Sequence, residues 1–209
     1  MILQEKKVTR ADLETMSYVP RINLVNSITG YKSASLIGTK SAGGVLNVAV
    51  FSSVTHVGSN PPLIGFIVRP TTVSRNTYDN IKETGFYTIN HIHRGIIADA
   101  HHTSAKYPKE VSEFDKTVLN PEFRDNFYAP YVQEAVVKIG LKFREEIPIK
   151  ANGTLMILGE IQEMIFPEAY QLEDGFVDLN AAKTVCISGL DAYHLPQELA
   201  RLEYARPKD

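Results

Sequence analysis

Residues 45–54 read Val-Leu-Asn-Val-Ala-Val-Phe-Ser-Ser-Val, and this stretch decides the fold class. Its β-branched residues predict a strand. Strand alternation places Asn47, Ala49, Phe51 and Ser53 on one face. A face of small, hydroxyl and amide side chains can accept a flat polar ring close to the backbone. Ser52 and Ser53 can hydrogen-bond ring carbonyls or phosphate oxygens. The same residues also describe an ordinary strand with a polar edge.

Strand signals continue on both sides of this run. Upstream, Ser41-Ala-Gly-Gly44 is a turn signal, and strands are expected over 22–28 and 33–39. Thr9 and Asp12 have capping-box spacing, which predicts a short helix ending near Tyr18-Val-Pro20. Downstream, Pro61-Pro62 opens an apolar strand over 63–68. Residues 73–84 have helical spacing that Gly85 stops. Residues 86–92 return to strand character. Residues 95–127 are polar and read as short helices and loops, an excursion too poor in aliphatic residues to hold its own core. Val137, Ile139, Leu141 and Phe143 alternate with Lys138, Gly140, Lys142 and Arg144, an amphipathic strand. Further strands are expected over 155–166 and 185–188, and a short helix in the tail from Pro196. The reading is one domain over 1–209, mainly β with some α: a closed barrel with peripheral helices. No glycine-rich dinucleotide fingerprint follows a strand.

Bulk properties narrow the function classes. With 44% hydrophobic and 22% charged residues, the chain can build a core. Its net charge of -2 gives no reason to expect nucleic acid or an anionic membrane as partner. A lone cysteine, Cys186, excludes an intrachain disulfide and a cysteine-based zinc site. No apolar run has membrane-spanning length, and the first residues lack a signal-peptide pattern. The expectation is a cytoplasmic protein.

A second informative stretch is Arg69-Pro-Thr-Thr-Val-Ser-Arg-Asn-Thr77. It follows an apolar strand and opens a helix. Hydroxyls, two arginines and free helix N–H groups would converge there, as a phosphate site requires. The alternative is a plain helix start, capped by Ser74 or Thr72 with the arginines in solvent. His91 and His93 share a strand face, and His101 and His102 adjoin, but no metalloprotease motif accompanies them. No Gly-x-Ser-x-Gly elbow supports Ser-His-Asp catalysis. Glu110, Glu113 and Asp115 are expected to face solvent.

Taken in order, several motifs resemble the flavin reductase-like, FMN-binding split-barrel family. They are Gly44-Val-Leu-Asn-Val-Ala-Val-Phe-Ser-Ser-Val-Thr55, Asn60-Pro-Pro-Leu63, Phe66-Ile-Val-Arg-Pro70, Thr77-Tyr-Asp-Asn-Ile81, Gly85-Phe-Tyr-Thr-Ile-Asn90 and Gly189-Leu-Asp-Ala-Tyr193. The likeness spans roughly residues 20–195. It implies a six-stranded split barrel, homodimeric, with FMN (rather than FAD) near the subunit interface. By that resemblance, Asn47, Ala49, Phe51, Ser52 and Ser53 hold the ring, and Arg69, Thr72, Arg75 and Thr77 hold the phosphate. Asn90 and His91 approach the cofactor, while Ser104, Lys106 and Tyr107 cover it or the partner's flavin. The implied activity is flavin reduction by hydride transfer from NAD(P)H to N5. The alternatives are an FMN-carrying electron-transfer protein serving a redox partner protein, and a flavin-free binding module. The chain departs from the family in two places: where many members have a short acidic turn before the double proline, residues 55–60 are longer and lack acid, and the late motif has fewer glycines.

Overall fold

The computed structural model describes residues 3–207. Its elements in order are α1 (Arg10–Thr15), α2 (Tyr18–Ile28), β1 (Lys32–Ser33), β2 (Ser35–Lys40), β3 (Leu46–Phe51), β4 (Thr55–Ser59), β5 (Pro62–Val68), α3 (Asn76–Thr84), β6 (Phe86–His91) and α4 (Ile97–His102). There follow a 3-10 turn (Glu113–Lys116), β7 (Pro121–Glu122), β8 (Tyr131–Val132), β9 (Lys138–Ile149), β10 (Thr154–Ile165), β11 (Cys186–Ser188) and β12 (Ala192–His194). The protein is mostly β with a few helices.

The main sheet runs β3-β2-β6-β9-β10-β5-β4, antiparallel throughout. Its two edge strands are consecutive in the chain, joined only by residues 52–54. The sheet therefore curls into a ring that the chain itself closes. Thr55 pairs with Gly65, and continuing that register would set Ser53 against Ile67. There the Ser53 hydroxyl replaces a strand peptide, accepting from Ile67 N–H at 3.0 Å and donating to its C=O at 3.4 Å.

Alternation along β2 sorts two cores. Ile37 faces the barrel interior with Phe66, Ile81, Tyr87, Ile89, Leu141 and Ile157. Leu36 faces outward with Val48, Ile92, Ile96, Phe114 and Leu119. The polar excursion thus has no core of its own; Ile96, Ala100, Phe114 and Leu119 join this outer cluster. Phe51, Phe66 and Tyr87 form an edge-to-face series, with centroids 5.1 and 5.6 Å apart. Tyr87 crosses the barrel directly over Gly159, where any Cβ would collide with its ring and hydroxyl.

Helix α3 ends as expected: Gly85 takes φ 78°, and its N–H reaches Ile81 C=O at 2.9 Å. The Thr9–Asp12 capping box is present.

Five expectations are corrected. Residues 22–28 are not a strand but belong to α2. Pro20 sits in its first turn, where the missing N–H costs nothing, so the proline does not stop a helix there. Residues 55–59, where no strand is expected, form β4, whose polar residues suit a strand exposed at the sheet edge. The main sheet consequently has seven strands, not six. The tail from Pro196 forms no helix within the described residues. Lys138, expected on a polar face, is buried; it pairs with Glu122 and donates to Gln133 C=O at 3.1 Å.

Candidate functional site

A cavity of about 590 Å³ lies along β3, closed at one end by α3 and on one side by the excursion. That size suits a cofactor or a drug-sized ligand. Its floor is β3 with residues 52 and 53. Val48 N–H is taken by the Glu113 carboxylate at 3.1 Å, so it does not pair with β2. By register, the odd-numbered β3 residues bond β2, and the even-numbered ones turn their peptide groups to the open edge. The Val50 N–H and C=O are thereby aimed along the cavity, as an edge strand presents them. Ala49 and Phe51 share one face of β3 and line the cavity, and the Phe51 ring packs edge-on against Phe66.

The far end is the N-terminus of α3. Arg75 is its N-cap residue, and no side chain caps the helix. Ser74 instead donates to Asp79 at 2.8 Å, so the plain capped-start reading does not hold. The first-turn N–H groups remain free, as helix starts leave them. Ser74, Arg75, Asn76 and Thr77 all line the cavity there. The Arg75 Nε is buried without a hydrogen-bond partner. A buried orphan donor is costly, and one belonging to a guanidinium beside a helix N-terminus has the chemistry to bond an anion.

Asn47 fixes the relation of the two parts. Its buried amide donates to Thr77 Oγ1 at 3.0 Å and Thr39 Oγ1 at 3.3 Å, pinning α3 against β3. Asn80 donates to the same Thr39 hydroxyl at 3.0 Å.

The structure brings Asn47, Ala49, Phe51, Ser52 and Ser53 to this cavity, together with Arg69, Arg75, Thr77, Ser104, Lys106 and Tyr107. Within that set, the Ser53 hydroxyl is already committed to Ile67 in both directions. Three candidates lie elsewhere. Thr72 is exposed on the turn before α3 and does not line the cavity. Asn90 is fully buried and holds the scaffold, donating to Thr88 Oγ1 at 2.9 Å and accepting from Val132 N–H at 3.0 Å. His91 lines a separate cavity of about 380 Å³ with Lys32, Ser35 and Cys186. Its Nδ1 is sealed and unpartnered, and burial pulls its pKa down to about 4, so the ring is neutral at pH 7.

One residue was missed. Glu113 does not face solvent with Glu110 and Asp115; it is buried and lines the main cavity. Burial raises its pKa, partly offset by hydrogen bonds from its own and the Val48 backbone N–H. The signal available was Phe114: an apolar residue in a polar stretch anchors its neighbours inward, and here it enters the outer core.

The other histidines are engaged. His93 bonds Glu134 C=O at 3.0 Å, His101 meets the Tyr193 hydroxyl at 3.2 Å, and His102 meets that of Tyr107 at 2.7 Å. Among the described residues, no group of three or more His, Cys, Asp or Glu could hold a metal ion, and no helix is long and apolar enough to cross a membrane.

Known proteins share this fold. A split-barrel protein of Shewanella frigidimarina, assigned as a flavin reductase, is 43% identical with a TM-score of 0.93, covering 96% of this chain and 100% of its own. The flavoredoxin of Desulfovibrio vulgaris has the same fold at 22% identity, TM-score 0.75, over 97% of this chain and 98% of its own. An uncharacterized protein of Aquifex aeolicus is 30% identical over 115 residues, 54% of this chain and 59% of its own length, so the match spans under two thirds of that relative. The Flavin reductase like domain matches residues 32–180. The chain belongs to the flavin reductase-like family.

Proposed function

We propose that the main cavity binds FMN and that the protein is an oxidoreductase drawing electrons from NAD(P)H. The observation that carries this reading is the buried, unpartnered Arg75 Nε at the open N-terminus of α3. It calls for an anion at one end of a cavity whose other end offers a flat floor and a peptide edge. A flavin mononucleotide has that shape: a dianionic phosphate, a flexible linker and a ring with amide-like edges.

Arg75, the first-turn N–H groups of α3 and the more exposed Arg69 would hold the phosphate. The β3 edge at Val50, with Ala49 and Ser52, would hold the ring. Phe51, packed against Phe66, would line the cavity beside it, and residues 104–107 would shield the open face. A flavin held there would supply hydride-accepting redox chemistry toward reduced nicotinamide, and the residues around the cavity would orient the rings and set the local charge. Arg69, Arg75 and Lys106 outnumber Glu113 around the cavity, which favours a negatively charged flavin.

A homodimer belongs to this reading. Every residue of α2 is at least partly exposed, Tyr18 and Ile28 by 68% and 78%, and Tyr31 beyond it by 71%. So much apolar exposure on one element suits a second copy of the chain. The single free cysteine fits the reducing cytoplasm.

The test is anaerobic mixing of the FMN-loaded protein with NADH and with NADPH. Bleaching of the bound flavin within turnover times supports the enzyme. Flavin that stays bound but is reduced by neither nucleotide would make the protein an electron carrier instead.

A further inference from the structure

Among the described residues, Glu113 is the one acidic side chain in the wall of the main cavity, and neither phosphate nor ring binding gives it a task. It is 6% exposed and has no salt-bridge partner among the described residues. One carboxyl oxygen, Oε2, accepts Val48 N–H at 3.1 Å. The other accepts no hydrogen bond from another residue among the described ones. A carboxyl in a cavity wall, with an oxygen that no other residue has claimed, can accept hydrogen bonds from O–H or N–H donors of whatever fills the cavity.

Its position along β3 says which part of a ligand it meets. Val48 lies between Asn47, which bonds Thr77 at the anion-binding end, and Ala49, where the ring floor begins. A ligand with its phosphate at α3 and its ring over residues 49–53 must therefore run its linker past Glu113.

We propose that Glu113 recognises the polyol chain of the flavin, its free carboxyl oxygen accepting a hydrogen bond from a ribityl hydroxyl while Oε2 stays on Val48. This rests on the flavin reading and adds a specificity determinant to it. Arg75 would select for the phosphate, and Glu113 for the hydroxylated linker.

The experiment is a fluorescence titration of the apoprotein with FMN, riboflavin and lumiflavin, which has the ring but neither polyol nor phosphate. Glu113→Ala should weaken FMN and riboflavin at least tenfold and leave lumiflavin unchanged. Glu113→Gln, which retains an acceptor for Val48 and the side chain's shape, should weaken the same two ligands by less, and carries the test if the alanine variant does not fold. Equal losses for all three ligands would mean that Glu113 only shapes the β3 edge, and unchanged affinities would mean that it touches no ligand; either overturns the proposal. A parent protein that bound none of the three would overturn the flavin reading as well, whereas a parent that bound FMN with Glu113→Ala unaffected would overturn this inference alone.

Discussion

Replacing Arg75 with alanine should act in opposite directions on ligand binding and on the stability of the empty protein. Arg75 Nε is buried and bonded to nothing in the protein. An unsatisfied buried donor costs about 1–3 kcal/mol, more for a charged group. Arg75→Ala relieves that cost, so the apoprotein should keep or gain stability even though the arginine's packing is lost. In the loaded protein the same group would bond a phosphate oxygen, and a hydrogen bond involving a charged group contributes about 1.5–3 kcal/mol. The dissociation constant for FMN should therefore rise by about 10- to 150-fold. Riboflavin, lacking the phosphate, should lose little. Flavin fluorescence quenching gives the affinities, and urea unfolding of the apoprotein gives the stability. Unchanged FMN affinity, or an equal loss for riboflavin, would refute the placement of the phosphate. A clear loss of apoprotein stability would refute the claim that the arginine is held for a ligand and not for the fold.

Three other expectations follow from the scaffold. Gly159→Ala should destabilise the protein by about 1–3 kcal/mol in denaturant unfolding, because the added methyl meets the fully buried Tyr87 ring inside a packed barrel. Ser53→Ala should cost about 1–3 kcal/mol by the same assay, since it orphans the Ile67 peptide at the seam of the ring. His91, neutral in the fold with a pKa near 4, is protonated more readily in the unfolded chain. Its contribution is complete above the unfolded value of about 6.5 and is lost as pH falls toward the folded value, amounting to about 2 kcal/mol between pH 7 and pH 5. Comparing the parent with His91→Leu at those two pH values should show that part of the pH dependence gone; identical slopes would place the ring in water.

What could be read from the sequence was what is local. The β3 run, the apolar β5, the alternation around Leu141 and the Gly85 stop each carry their signal within a few residues, and each appears in the fold. Helix α2 was misread because Ile22, Val25 and Ile28 are β-branched, although Pro20 in its first turn is compatible with a helix start. Strand β4 was missed because an exposed edge strand needs no apolar face; its identity comes from pairing with β5. The site divides in the same way. Arg75 could be found because arginines and hydroxyls flank a helix start. Glu113 carried only the weak local hint of Phe114 beside it, because its burial depends on Phe114 docking into a cluster with Val48, 65 residues before Glu113. The family resemblance puts Asn90 and His91 near the cofactor, but β2 and β8 claim the first and a different cavity receives the second.

A crystal structure of the protein soaked in excess FMN tests the account most directly. It should show the phosphate against Arg75 and the opening turn of α3, with the ring lying on residues 49–53 and bonded to the Val50 peptide. Density for FMN in any other position, or a main cavity that stays free of it at saturating concentration, would contradict the central claim.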